Sequence, residues 1–121
     1  VYELQEKYDT EDGPTLPERA PHTVTPPGTA LGWEALCEEH GTRPFSDLLG
    51  PAAEYASTGF PVTEVIAQQW QDNEHVLEHD NARSEFLIDG EAPEAGEQMR
   101  LPGLASTIDT IANNGAEVLY E

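Results

Sequence analysis

The stretch LPGLASTIDTIANNG, from Leu101 to Gly115, carries the most complete helix pattern in the sequence. Pro102 suits the first position of a helix, where its missing N–H is not needed, and Gly115 is a typical helix stop. Between them, five aliphatic residues recur at helical spacing and form one apolar stripe. These residues are Leu104, Ala105, Ile108, Ile111 and Ala112. The pattern predicts a helix from about Pro102 to Gly115, followed by a last turn through Tyr120.

A similar pattern lies upstream in TALGWEALCEEHG, with Thr29 as the predicted N-cap and Gly41 as the stop. Four of its apolar residues share one face and are predicted to pack inward. They are Ala30, Trp33, Leu36 and Cys37. Cys37 is therefore expected to be a small core residue rather than a catalytic thiol, because it lies on this apolar face.

The next segment, PFSDLLGPAAEYASTG, contains a glycine–proline step at Gly50 and Pro51. Proline is poorly tolerated inside a helix but is well suited to its first position. We therefore predict a short turn, then a helix that begins at Pro51 and ends at Gly59.

The longest helix candidate covers about residues 63–79, with Thr63 as its predicted cap. At the helical period, Ile66, Trp70 and Leu77 cluster on one side and are expected to pack inward. From residue 82 to residue 96 we expect a loop or a minor strand, with a turn at Asp89 and Gly90.

The end of that candidate helix reads HVLEH, from His75 to His79, which matches the H-x-x-E-H pattern of inverted zinc peptidases. The two histidines lie about 400° apart on a helix, so both would point the same way, as ligands must. That side is opposite the apolar one, and no second motif supplies a third protein ligand. A zinc-dependent hydrolase using His75 and His79 is thus the least favoured alternative. We predict a solvated helix end, with no metal and no cofactor.

The chain has 121 residues, of which 24 are acidic and 5 are Lys or Arg, giving a net charge of −19. This balance argues against nucleic acid and anionic membranes as partners. Lys7 is the only lysine, and the acids are spread along the chain. The pattern is typical of a halophile's surface, because molar salt shortens the Debye length to about 3 Å and screens like charges.

Other sequence features bound the class of protein. Cys37 is the only cysteine, which excludes an internal disulfide and a thiolate zinc cluster. No apolar run approaches the roughly 18 residues that a membrane span needs. No signal-peptide pattern is visible, so the location is open, with the cytoplasm favoured. The sequence begins without methionine and stops without a closing element, which indicates a piece of a larger protein.

These patterns divide the chain into two parts. Residues 1–28 contain five prolines and are predicted to form an extended lead-in, after a short helix at residues 1–8. Residues 29–121 are predicted to form a mainly α segment of four to five short helices joined by Pro/Gly-rich loops.

Two blocks of this sequence, together over about residues 24–121, match the pattern of one known enzyme family. The first is TPPGTALGWEALCEEHGTRPFSDLLGPAAEYASTGFPVTEVIA. Its matching positions are Pro27–Gly28, Gly32–Trp33, Gly41, Pro44–Phe45, Leu48–Leu49, Pro51–Ala52, Ala56 and Gly59–Phe60–Pro61–Val62. The second is FLIDGEAPEAGEQMRLPGLASTIDTIANNGAEVLY. Its matching positions are Phe86, Asp89–Gly90, Pro93, Gly96–Glu97, Leu104–Ala105, Thr107, Ile111–Ala112, Gly115–Ala116 and Tyr120. In these positions the chain resembles the large subunit of gamma-glutamyltranspeptidases.

The resemblance implies a segment of an N-terminal-nucleophile hydrolase with an αββα fold. Such an enzyme cuts its own precursor, and the new N-terminal threonine of the small subunit attacks the gamma-glutamyl group of a glutathione-like donor. That threonine motif is absent here, so the resemblance implies no catalytic, substrate-binding or metal residue in this chain, which should be inactive alone. Acylase-type members act on other amides, which leaves the donor open.

The family's substrate-binding arginine lies in an R-E-x-A-P motif, which PERAP around Arg19 only partly matches. Here arginine follows glutamate instead of preceding it, and Pro27–Gly28 lies closer to this arginine than the corresponding step usually does in the family. We therefore expect the true motif upstream of Val1.

The implied partners are the rest of the large subunit and the small subunit. Uncovered apolar faces also predict a homo-oligomer in high salt. The alternative from another class is a helical interaction module that shares ancestry but performs no chemistry.

The acidic composition predicts salt-dependent stability. We expect the melting temperature of the chain to rise steadily with potassium chloride up to molar concentrations, because counterions screen the repulsion among carboxylates. Thermal unfolding followed by circular dichroism measures this. A melting temperature that stays constant with salt would contradict the halophilic interpretation.

Overall fold

The structure is a computed structural model that describes residues 21–120 in full and, further upstream, only the backbone of residues 9–10 and 13–14. The described part contains five α-helices and two antiparallel strand pairs. The helices are α1 (Thr29–His40), α2 (Phe45–Thr58), α3 (Glu64–Asn73), α4 (Asp80–Phe86) and α5 (Pro102–Asn114). The strand pairs are β1 (Asp9–Thr10) with β2 (Gly13–Pro14), and β3 (Phe60–Pro61) with β4 (Gln98–Met99). Short 3-10 turns occupy Pro21–Thr23, Glu74–Val76 and Ala116–Leu119.

The predicted mainly α class is confirmed. The short helix predicted at residues 1–8 lies outside the described residues. None of the helices that the structure describes is long and apolar enough to span a bilayer.

The core lies between α2 and α5, which make the most extensive contact between any two elements of the described part. Met99 is only 1% exposed and sits among apolar side chains from both helices and from α3. Its buried neighbours are Ala56, Val62, Ala67, Leu101 and Ala105. Because three of these are alanines, the helix backbones can approach the strands closely, and the one long side chain fills the space between them.

Two extended segments, residues 59–62 and 96–101, connect the end of α2 to the start of α5, and we call them the strand clamp. Within it, Phe60 is paired with Met99 in antiparallel register. Gly59 turns the chain from α2 into the strand clamp with a φ of 103°. Glycine is needed there, because a side chain at this φ is strained.

Backbone hydrogen bonds extend the strand clamp beyond its paired strands. The Val62 N–H donates to the Glu97 carbonyl at 2.9 Å, and the Gly96 N–H donates to the Val62 carbonyl at 2.7 Å. At the other end, the Leu101 N–H donates to the Ala56 carbonyl in the last turns of α2, at 2.9 Å. The strand clamp thus satisfies backbone groups that would otherwise be buried without partners.

A carboxylate connects α1 to the turn that follows α5. Glu34 accepts a hydrogen bond at 3.1 Å from the backbone N–H of Ala116, a residue that is 0% exposed. Gly115 precedes it with a φ of 87°, and a Cβ there would lie 3.1 Å from a Glu34 oxygen. The Tyr120 hydroxyl donates to the carbonyl of Pro27, close to the start of α1. These contacts bring both ends of the helical unit to one edge.

The prediction of a turn at Gly50–Pro51 and a helix start at Pro51 is wrong. α2 runs unbroken from Phe45 to Thr58 with Pro51 inside it. An interior proline removes one backbone hydrogen bond and costs about 3 kcal/mol. The extensive packing of α2 on α5 outweighs this local cost, which sequence rules alone do not include.

The predicted inward face of α1 is also wrong. No residue of α1 is buried: Trp33 is 55% exposed, Leu36 is 60% exposed and Cys37 is half-buried. The helix begins at Thr29, so Gly28 rather than Thr29 is the N-cap residue. The apolar face exists as predicted, but the contacts of α1 with α2 and with the turn Ala116–Leu119 leave it largely uncovered.

The prediction for α5 is confirmed. The helix begins at Pro102 and Gly115 is its C-cap residue. Four of the five residues of the predicted stripe are at least half-buried, while Leu104 is exposed. The predicted stops at Gly41 and Gly59 and the cap position of Thr63 are also correct.

The contact between Glu34 and Ala116 generates a stability prediction. We expect Glu34→Ala to lower the free energy of unfolding by about 1–3 kcal/mol, because the buried Ala116 N–H loses its partner. The matched control is Glu38→Ala, which removes the same charge from an exposed position of the same helix. Its effect should stay within about 0.5 kcal/mol. Urea unfolding at fixed high salt gives both values, and equal effects of the two variants would contradict the assigned role of Glu34.

Candidate functional site

The two histidines of HVLEH do not share a helix. α3 ends at Asn73, His75 lies in the 3-10 turn Glu74–Val76, and His79 is the N-cap residue of α4. The predicted continuous helix over residues 63–79 is therefore wrong. The deduction that both histidines point to its polar side no longer holds either.

One local and one tertiary hydrogen bond lie at the point where the helix breaks. The Asn73 amide donates to the Gln69 carbonyl at 2.8 Å, within its own helix. The next residue, Glu74, accepts a hydrogen bond from the Ala92 N–H at 3.0 Å, 18 residues further along the chain. This contact draws the chain toward the loop after α4, and neither partner is visible as a local signal in the sequence.

The region predicted as a loop or minor strand, residues 82–96, begins inside α4. Beyond the helix, Ile88 and Glu91 form an isolated bridge around the predicted turn at Asp89–Gly90. Trp70 of α3 packs against Phe86 of α4, with ring centroids 6.4 Å apart. The aromatic contact stabilises the angle between the two helices.

The geometry does not assemble a zinc site from His75 and His79. Both side chains are exposed. Across residues 21–120, no group of three or more His, Cys, Asp or Glu side chains is placed to hold a metal ion. A catalytic zinc requires three protein ligands, so these two histidines do not suffice.

Charged side chains instead hold backbone groups of distant segments. Glu85 on α4 accepts hydrogen bonds from the N–H groups of Gly103 and Leu104, at 3.3 and 3.1 Å. These are free N–H groups in the first turn of α5, where a negative charge also interacts favourably with the helix dipole. A Cβ on Gly103 would lie 2.9 Å from a Glu85 oxygen, so glycine permits this approach.

Arginine side chains likewise donate hydrogen bonds to backbone carbonyl groups. Arg83 donates to the carbonyls of Leu77 and Gly90, at 3.3 and 3.0 Å, and so fixes the segments on both sides of α4. Arg100 donates to the Thr58 carbonyl at the end of α2, at 3.1 Å. In the described part, no charged or polar residue is buried. These side chains therefore stabilise the fold and are not arranged as an acid–base pair.

Residues 21–120 form surface depressions wide enough to receive another group, of which two are described in turn. The first, which we call the α1/α2 groove, is apolar and has a volume of about 360 Å³. Its lining residues are Trp33, Leu36, Cys37, Phe45, Leu48, Leu49 and Ala52. The groove contains a thiol but no basic side chain that could activate it.

The second depression is a polar cleft of about 460 Å³ between α2 and α5. It contains hydroxyl and amide groups, and three of them donate to carbonyls one turn earlier in the same helix. Thr110 donates to Ser106, Asn113 to Asp109 and Asn114 to Thr110. The lining includes the Asp109 carboxylate but no histidine or amine.

Arg19, the residue that partly matches the family's substrate-binding motif, lies outside the described residues. Three acidic residues with long-range contacts were not predicted: Glu34, Glu74 and Glu85. Their partners lie 82, 18 and 18–19 residues away in the chain, and no periodicity or motif connects them.

Comparisons with known proteins place these features in a family context. The family model described as Gamma-glutamyltranspeptidase matches residues 3–121, a wider span than the resemblance predicted. The chain is 32% identical over 99 residues to the glutathione hydrolase-like YwrD proenzyme of Bacillus subtilis, covering 81% of this chain and 19% of that protein. It is 36% identical over 112 residues to the oxamate amidohydrolase proenzyme of Klebsiella pneumoniae, covering 87% and 21%.

The fold agrees with these matches. The gamma-glutamyltranspeptidase of Helicobacter pylori has a TM-score of 0.84 at 23% identity, over 94% of this chain and 34% of that one. The chain spans about a fifth of the length of the curated relatives it matches. With a family model that matches nearly all of its residues, the chain belongs to the gamma-glutamyltranspeptidase family.

Proposed function

We propose that this chain is a framework segment of the large subunit of a gamma-glutamyltranspeptidase-like enzyme of the N-terminal-nucleophile class. The observation that carries the proposal is the family match over residues 3–121, by a chain about a fifth as long as its curated relatives. The matched glycines and prolines support it, because several of them begin or end helices. Gly41, Gly59 and Gly115 are C-cap residues, and Pro102 begins α5.

The parent enzyme would transfer or hydrolyse gamma-glutamyl groups from glutathione-like donors. In such an enzyme the N-terminal threonine of the small subunit attacks the amide carbonyl, and its own amine accepts the proton. Hydrogen-bond donors in an oxyanion hole then stabilise the tetrahedral intermediate. The relatives include a glutathione hydrolase-like protein and an oxamate amidohydrolase, so amide cleavage is the chemistry that their names share.

We propose further that this segment contributes no catalytic residue of its own. In its described part, the charged side chains with long-range contacts hold backbone groups, as Glu34 and Glu85 do. In the polar cleft, the Thr110 hydroxyl donates within its own helix, to the Ser106 carbonyl. Its partners would be the rest of the large subunit and the small subunit.

A halophilic source is part of the same proposal. With a net charge of −19, the chain has few cations to balance its carboxylates. In the described part, Arg43 lies 3.8 Å from Asp47, and both side chains are more than half exposed. Such a surface pair contributes little, so the negative charge would be balanced mainly by solvent cations.

An activity assay tests whether catalysis requires the parts of the enzyme that lie outside this segment. We expect the 121-residue chain to release no p-nitroaniline from gamma-glutamyl p-nitroanilide at any salt concentration, because the nucleophile lies elsewhere. The complete gene product should hydrolyse this substrate after self-cleavage. Replacing its processing threonine by alanine should abolish both steps.

Two outcomes would contradict the proposal. The first is turnover by the 121-residue chain above the buffer rate. The second is a complete gene product that neither cleaves itself nor attacks the gamma-glutamyl amide.

A further inference from the structure

We propose that the α1/α2 groove receives an uncharged, apolar segment from the rest of the parent polypeptide. This inference rests on the proposed function, since it requires that the chain be part of a longer protein. It assigns the surface through which the helical framework joins that protein.

The groove exposes large apolar side chains to solvent. Trp33 and Leu36 on α1 and Leu48 on α2 line one groove, yet each remains about half exposed or more. Because burial of apolar surface stabilises a protein in proportion to the area buried, covering these three side chains would be favourable. A contiguous apolar patch of this kind marks an interaction surface more often than a solvated one.

The groove is uncharged although the chain is strongly acidic. About one residue in five of the chain is acidic, yet the seven residues that line the groove include no charged residue. The acids of α1, such as Glu38 and Glu39, lie outside the lining. On α2 the uncharged stripe continues from Leu48 through Ala52 to the exposed Tyr55, at spacings of four and three residues. An occupant that is itself apolar and uncharged is complementary to such a surface.

A segment of the same polypeptide is a better occupant of the groove than a second copy of the chain. The seven lining residues form a small groove, whereas a stable interface between separate proteins needs about 800 Å² per partner. A segment of the same polypeptide needs far less area, since linkage gives it a millimolar or higher effective concentration. The curated relatives are about five times longer than this chain, so ample sequence is available to supply it.

Cys37 provides a direct probe, because its half-buried thiol lines the groove and is the only thiol of the chain. The experiment measures the rate at which iodoacetamide alkylates Cys37, by peptide mass spectrometry, at one molar-salt condition. It compares the 121-residue chain with the complete gene product, at a concentration where sedimentation shows the short chain to be monomeric. We expect alkylation to be at least about tenfold slower in the complete protein, because the docked segment must open first.

A pair of variants separates docking from general burial. In the complete protein, Leu48→Asp should raise the alkylation rate toward that of the short chain, because a carboxylate in the groove opposes an apolar occupant. The matched control, Val65→Asp, introduces the same charge at an exposed position of α3 outside the groove and should leave protection unchanged. Urea midpoints of the short-chain variants verify that neither substitution unfolds the framework.

Three results would overturn the inference. One is equal alkylation rates in the two proteins. Another is a Cys37 already protected in the short chain, either as a monomer or in a sedimenting dimer, which would assign the groove to the chain itself. The third is protection that Leu48→Asp does not change. The labelling reads contact rather than turnover, so a complete protein that lacks gamma-glutamyl activity but protects Cys37 would refute the proposed reaction alone.

Discussion

The strand clamp is the constraint on which the rest of the described structure depends. α2 and α5 are separated by more than 40 residues of sequence, yet they form the main helix contact. Closing so long a loop costs conformational entropy, which the contact must offset. The strand clamp does so by pairing Phe60 with Met99 and by placing the Met99 side chain in the centre of the core. α3 and α4 then lie in the closed loop, and Trp70 reaches back to the same core.

The acidic composition affects how α1 and α4 are attached to this core. With 24 acids and 5 Lys or Arg in the chain, few carboxylates can pair with a cation. Several bind backbone N–H groups instead: Glu34 reaches Ala116, and Glu85 reaches the first turn of α5. A hydrogen bond to an ionised carboxylate is stronger than one between neutral groups, so each contact is an effective anchor. Acidic side chains thereby connect α1 and α4 to α5 and to the turn that follows it.

Local signals predicted those parts of the fold that depend on local physics. α5 has a proline start, a glycine stop and a regular stripe, and all three act within one helix. The sequence failed where a distant partner decides. Pro51 lies inside α2 because packing on α5 outweighs the local cost, and α3 stops early where Glu74 binds Ala92. The sequence predicted the apolar face of α1 but not what packs against it, because no described element fully covers that face. The same holds for the candidate site: HVLEH is a local sequence pattern, but the fold places its two histidines in different elements.

The proposed framework role depends on the contacts of the strand clamp, and amide hydrogen exchange measures the strength of these contacts most directly. In molar potassium chloride, the amides of Val62 and Leu101 should exchange among the slowest of residues 21–120, because they open only when the core unfolds. The amides in the middle of α1, such as that of Cys37, should exchange faster, since no residue of that helix is buried. Exchange at Val62 and Leu101 that is as fast as in α1 would contradict the strand clamp as the centre of this framework.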